Sequence, residues 1–237
     1  MSNNLDLCEH ISQAIRGRNE TWTFIRSFAS YWVTPLEEGD GWMGADLLAA
    51  QERLGLTLPA AFKEAYTLFG RRSDLTRNQE RLLGPMDLYL DNRALTFRHE
   101  NQGALRWGIL VEDLQNPDPP VYSCDYMEDT TAEKWEPWLG RFSLACIDLI
   151  MWESLHDPRM PTEYCCLDDE MLEILEKLYT KLPSPGGLNR YTPESACWFT
   201  GDDVLLASSG MDLFVRARSH TALESVRQNL PGDWLNE

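Results

Sequence analysis

No run in this 237-residue chain approaches the roughly 18 consecutive apolar residues of a membrane span. The opening MSNNLDLCEHISQAIRGR has neither the basic start nor the apolar centre of a secretory leader. Both gaps lead to the expectation of a cytoplasmic protein. Histidine is scarce: His10, His99, His156 and His220 are all there is, and none has the i, i+4 partner of an H-E-x-x-H zinc helix. The six cysteines (Cys8, Cys124, Cys146, Cys165, Cys166 and Cys197) contain no C-x-x-C, so neither a zinc knuckle nor a redox pair is signalled. Reduced, mostly buried thiols are expected, and adjacent Cys165 and Cys166 lack the basic neighbour that makes a thiolate. G-x-S-x-G, G-x-x-x-x-G-K-[ST] and G-x-G-x-x-G are all missing, which takes away the usual anchors of an esterase, a phosphate-cradling enzyme and a dinucleotide binder. No cofactor or metal is expected. Asn19-Glu20-Thr21 matches a glycosylation sequon, read as chance.

Positive charge is also short. Against 38 Asp/Glu stand 21 Lys/Arg, a formal net charge of −17. Phosphates need Lys and Arg to neutralise them, so nucleic-acid binding is disfavoured and a basic protein partner favoured. The excess is local. From Glu112 to Thr180 there are 17 Asp/Glu and 4 Lys/Arg, whereas from Arg71 to Arg106 there are 7 Arg and 5 Asp/Glu. A plain solubilising role competes with partner attraction for this acidity.

What is abundant is core material: 43% hydrophobic residues and nine Trp, the composition of a compact domain. Leu7, Ile11 and Ile15 recur at helical spacing before Gly17, and Trp22, Ile25, Phe28, Ala29 and Trp32 follow on one face. ADLLAAQERLG and LPAAFKEAYTLFG read as a helix pair, with Gly55 closing the first and Pro59 opening the second. Beyond the Arg-rich connection come LLGPMDLYL and ALTFR. After the turn HENQG, the residues Leu105, Trp107, Ile109 and Val111 alternate with Ala104, Arg106, Gly108 and Leu110 at the period of a strand, so a hairpin is expected. Pro117, Pro119 and Pro120 interrupt pairing, and VYSCDY resumes it.

FSLACIDLIMWESL is apolar on most sides and reads as a buried helix. LDDEMLEILEKLYTKL turns Met171, Leu172, Leu175, Tyr179 and Leu182 inward and leaves Asp169, Glu170, Glu173 and Glu176 to solvent. Its early carboxylates suit the positive end of a helix dipole. A break at Pro183 to Gly187 precedes VLLA, a SSGMD turn, LFVRA and a closing helix. Helices and antiparallel hairpins in blocks indicate an α+β fold. The expected organisation is an N-terminal helical segment, 1–44, packed on an α+β domain, 45–237, that includes the C-terminal hairpin and helix.

Candidate sites are weighed on the same residues. Asp168-Asp169-Glu170 or Glu128-Asp129 would supply the acid and base of a hydrolase if held at the required separation, yet among 38 carboxylates adjacent pairs arise by coincidence. Trp135 and Trp138, in the acidic stretch EDTTAEKWEPWLG, are either interface anchors or rings packed under a loop. The candidate partner-binding set is Asp125, Glu128, Asp129, Glu133, Trp135, Trp138, Asp169, Glu170 and Glu173.

AQERLGLTLPAAFKEAYTLFG, LTFRHENQGALRWGI, DPPVY and a Trp followed by FSLACIDLIMW, in that order, resemble the SUKH superfamily, the Smi/Knr-like proteins. The likeness covers roughly residues 45 to 155, and GDDVLLASSGMDLFVRARSHTALESV is similar to the family's closing hairpin and helix. Leu54, Gly55, Leu58, Pro59, Gly103, Trp107, Gly108 and Pro120 match its fold-defining pattern, which is not a catalytic set. The resemblance implies helices packed on an antiparallel-rich sheet. It implies, for bacterial members, an immunity protein that binds a cognate toxin of a polymorphic or contact-dependent system, and for fungal relatives a regulatory interaction protein. This chain departs from the pattern in its longer helical N-terminal part and in an acidic insert near 156 to 190. On this reading LTFRHENQGALRWGILVEDLQNPDPPVY is frame, and function lies on the acidic faces it supports.

Overall fold

A computed structural model describes residues 5–125, 134–184 and 196–235. The fold is α+β, with eight helices and two antiparallel sheets among the described residues. Helices α1 (Leu7–Ala14) and α2 (Arg18–Trp32) come first, followed by the pair α3 (Gly44–Leu54) and α4 (Ala60–Phe69) and the single turn α5 (Ser73–Thr76). Gly55 takes the left-handed conformation, φ 67°, that ends α3, a geometry open to glycine because it has no Cβ.

Sheet 1 comprises β1 (Arg81–Leu82), β2 (Tyr89–Asp91), β3 (Ala94–His99), β4 (Leu105–Leu110), β5 (Val121–Asp125) and β6 (Glu136–Leu139). Its order is β1-β3-β4-β5-β6, with β2 also on β3. The expected hairpin is β3–β4, turned at Gly103 with φ 78°. Within LLGPMDLYL the chain turns between Gly84 and Leu88, and the short strands on either side both pair with β3. Val111 leaves the ladder for a 3-10 turn, Val111–Asp113, and is 44% exposed.

Across the hairpin Thr96 pairs with Gly108 and Arg98 with Trp107, so Phe97 is an extra residue, a bulge. The bulge sends two successive side chains the same way. Phe97 meets Phe142 at 5.1 Å, and the Arg98 guanidinium lies 4.4 Å from the Trp107 ring centroid.

Helix α6 (Phe142–Leu155) is the centre of the molecule, with twelve of its fourteen residues buried. An apolar helix on all sides needs cover on all sides. Sheet 1 covers one side through Phe97, α4 another through Phe62 at 5.0 Å from Phe142, and sheet 2 a third through Phe214 at 5.3 Å from Trp152. Sheet 2 comprises β7 (Thr162–Cys166), β8 (Thr180–Lys181), β9 (Cys197–Gly201), β10 (Val204–Ser209), β11 (Asp212–Ala217) and β12 (Trp234–Leu235), in the order β12-β7-β11-β10-β9-β8. Helices α7 (Asp169–Leu178) and α8 (His220–Asn229) close its far face over Cys165, Leu213, Val215 and Phe199. The insert near 156 to 190 thus supplies β7 and α7, both integral to sheet 2.

One loop, between the 3-10 turn and β5, fastens the layers. The Pro117 carbonyl accepts from the Ala61 N–H at 2.8 Å and from Arg18 at 3.2 Å. The Asp118 carboxylate accepts from the Ser143 N–H at 2.9 Å and its hydroxyl at 2.6 Å, capping the start of α6. Phe24, Phe28 and Trp32 of α2 belong to the same buried cluster as Ile147 and Leu205, so the N-terminal helices share the core.

Candidate partner-binding surface

Helix α7 is divided cleanly. Met171 and Leu175 are buried, while Asp169, Glu170, Glu173 and Glu176 are exposed. Asp168 is the N-cap, its carboxylate accepting from the Met171 N–H at 2.8 Å. Glu173 and Glu176 reach Lys177 at 3.5 Å and Lys181 at 3.4 Å, exposed pairs of little energetic consequence. Among the described residues no ion pair engages Asp169 or Glu170. The turn between β10 and β11 lies against the start of this helix: the Leu167 N–H donates to the Met211 carbonyl at 2.6 Å. Met211 is 79% exposed, and its neighbour Asp212 pairs with exposed Cys166. An exposed, flexible apolar side chain thus sits in the turn that touches the segment leading into the acidic helix, a composition suited to contact with a cationic protein surface.

The other expected candidates lie on sheet 1. Asp125, exposed, ends β5 opposite Leu105. Trp135 is half-buried with its ring laid on Gly108: a Cβ there would come within 2.8 Å of it. Trp138 is half-buried too, 5.7 Å from Trp107. Both indoles pack on the sheet. Glu128, Asp129 and Glu133 lie outside the described residues. Asp125, Trp135 and Trp138 therefore belong to sheet 1 and Asp169, Glu170 and Glu173 to the cover of sheet 2, with α6 between. The structure does not bring the two groups together.

Two buried polar clusters escape a reading by periodicity. Thr96, Arg106 and Cys124 face away from Trp107 and Ile109, on the side that alternation assigns to solvent, yet all three are buried. Arg106 reaches Asp91 at 2.5 Å and Cys124 Sγ at 3.5 Å, and its guanidinium lies 5.3 Å from the Trp135 ring centroid. His99 Nε2 is 2.9 Å from the Tyr89 hydroxyl, and burial, then Arg81 and Arg106, lower the pKa of its imidazole. Trp135 covers this face, a role its place in an acidic stretch left open in the sequence.

The second cluster surrounds Arg98. Asp148 and Glu153 of α6 approach it at 3.7 and 3.5 Å. Glu153, fully buried, accepts backbone N–H bonds from Asn78, Gln79 and Glu80 at 2.6, 2.8 and 3.0 Å. Burial pushes the Glu80 carboxyl up to about 7, with Arg98 opposing and Glu153 adding to the rise. Asp148 is likewise raised by burial against the pull of Arg98. These groups join β3, α6 and the turn before β1, and no local pattern announces contacts across some seventy positions.

Among the described residues no group of three or more His, Cys, Asp or Glu is placed to hold a metal ion, and no helix is long and apolar enough to cross a membrane. No family model matches the chain. No characterised protein matches it in sequence.

Proposed function

We propose that this chain is a non-enzymatic protein-binding module of the cytoplasm, an immunity protein that captures a basic cognate toxin through an acidic surface. The carrying observation is the exposed face of α7, where Asp169, Glu170 and Glu173 face solvent on a helix whose other side is buried against sheet 2, with exposed Met211 in the turn bonded to the segment just before the helix. Opposite potentials accelerate encounter, and an apolar contact slows release. The α+β architecture and the SUKH-like order of motifs support the same reading. The test is rescue: cells expressing the toxin encoded beside this chain survive when the chain is coexpressed, and the two copurify. Growth arrest that coexpression leaves unchanged would sink the immunity reading, and capture of a non-toxic partner from the native host would replace it with the regulatory role of the fungal Smi/Knr type.

A further inference from the structure

Helix α6 ends before it has covered the whole of sheet 2. Trp152, on its last turn, and His156, its C-cap, each lie 5.3 Å from the Phe214 ring of β11, and Tyr164 of β7 stacks beside Phe214 at 6.0 Å. All four rings are half-buried. The register sets Leu235 opposite Tyr164, so both project from one face, and Leu235 is 46% exposed. An aromatic shelf thus runs from α6 to the edge strand of the sheet. Its rings pack on one another, so their order precedes any binding.

Carboxylates border the shelf. Asp212 lies two residues before Phe214 on the same face of β11, and exposed Asp233 leads into β12 next to Leu235. Arg159, the cation nearest in sequence to the end of α6, is held by Asp157 at 2.8 Å and lies 3.6 Å from Asp74. A planar guanidinium is the group that stacks on aromatic faces while donating to carboxylates at their rim. The molecule contains that arrangement already: Arg218 lies 3.9 Å from the Tyr31 ring centroid and donates to Asp203 at 2.9 Å.

We propose that the shelf of Trp152, His156, Tyr164 and Phe214, rimmed by Asp212 and Asp233, seats an arginine side chain of the protein partner. This rests on the basic-partner reading, to which it adds a residue-specific subsite. The α7 carboxylates draw in positive charge of either kind, and the shelf distinguishes arginine from lysine.

The test uses the full chain, 15N-labelled, titrated with nona-arginine and, in parallel, with nona-lysine. Nona-arginine is expected to shift the Trp152 indole N–H and the backbone signals of Tyr164 and Phe214, and to bind about fivefold more tightly than nona-lysine, the scale of one exposed cation–π contact. Tyr164→Ala, at a half-exposed position, is expected to remove that preference while leaving nona-lysine affinity unchanged. Binding of both peptides with equal affinity, or shifts confined to α7, overturns the shelf and leaves the basic-partner reading standing. If neither peptide binds at low salt, both fall. The mapping on the unaltered protein needs no variant, so misfolding of Tyr164→Ala would not rescue the proposal.

Discussion

Arg216 sits where three elements meet. Fully buried on β11, it donates to the Ser154 carbonyl at 2.6 Å and to the Trp32 carbonyl, the last turns of α6 and α2. A cation there answers two helix dipoles and satisfies carbonyls that helix ends leave without partners. Burial lowers its pKa to about 10, with Asp157 opposing. Replacing it by Met nearly preserves volume but removes the donor to the Trp32 carbonyl and leaves the Ser154 carbonyl only the long bond from the Asp157 N–H at 3.4 Å. Arg216→Met is expected to cost roughly 3 kcal/mol in urea denaturation, and a loss under 1 kcal/mol would show that the rivet is idle. Glu80 gives a pH test. Its folded pKa, about 7, lies above the ordinary 4.5, so the native state holds the proton more tightly. The stability it contributes is complete below 4.5 and is lost as pH rises through 7. The depressed His99 acts in the opposite sense, removing stability as pH falls through its lowered folded pKa. Glu80→Gln should therefore raise the denaturation midpoint at pH 8 and flatten the decline between pH 5 and 8. Parallel pH profiles for the two proteins would contradict this assignment.

At the scale of elements, α7 can be altered with little effect on folding because its carboxylates are exposed. Asp169→Lys with Glu173→Lys should cost no more than about 1–2 kcal/mol of stability, chiefly from the charge reversed at the helix start, slow association with the proposed basic partner and flatten the salt dependence of the on-rate. The pair Asp129→Lys with Glu133→Lys, nominated by sequence, tests the β5–β6 connection in the same assay, and an unchanged rate and salt slope in both variants would remove the acidic surface from the mechanism. Sheet 1 offers a packing test. Gly108→Ala brings a Cβ to 2.8 Å from the Trp135 ring and 3.1 Å from the Leu95 carbonyl. A loss of about 1–3 kcal/mol is expected from such overpacking, and Trp135→Ala in the same chain should recover part of it. Strict additivity would mean that the ring does not rest on Gly108. Helices and the two hairpins are legible in sequence because their signals are local: the α4 stripe of Phe62, Ala65, Tyr66 and Phe69 repeats every three or four residues, and SSGMD punctuates β10 and β11. Strands β7 and β9 are not, since TEYCC and CWFTG acquire their pattern only from neighbours in sheet 2.

For the whole molecule, charge and layering decide how a partner is met. A net charge of −17 attracts a cationic partner from any direction, but α6 separates the sheet 1 candidates from the α7 face, so the two acidic regions do not form one surface. Asp169, Glu170 and Glu173 were legible as solvent-facing from helical period alone. Trp135 and Trp138 were not separable into anchors and packing rings, because a tryptophan in an acidic loop has the same sequence in either role. Composition, periodicity and turn residues by themselves determined the α+β class, the helices, the buried character of α6 and the exposed acidic face of α7, all properties set within about a dozen neighbouring positions. Only the tertiary structure decided that there are two sheets about one helix, that Arg98, Arg106 and Arg216 are interior, and that an aromatic shelf lies at the end of α6. Contacts such as Arg216 with Trp32, 184 positions apart, arise from burial and hydrogen-bond satisfaction in three dimensions, which leave no period in the chain.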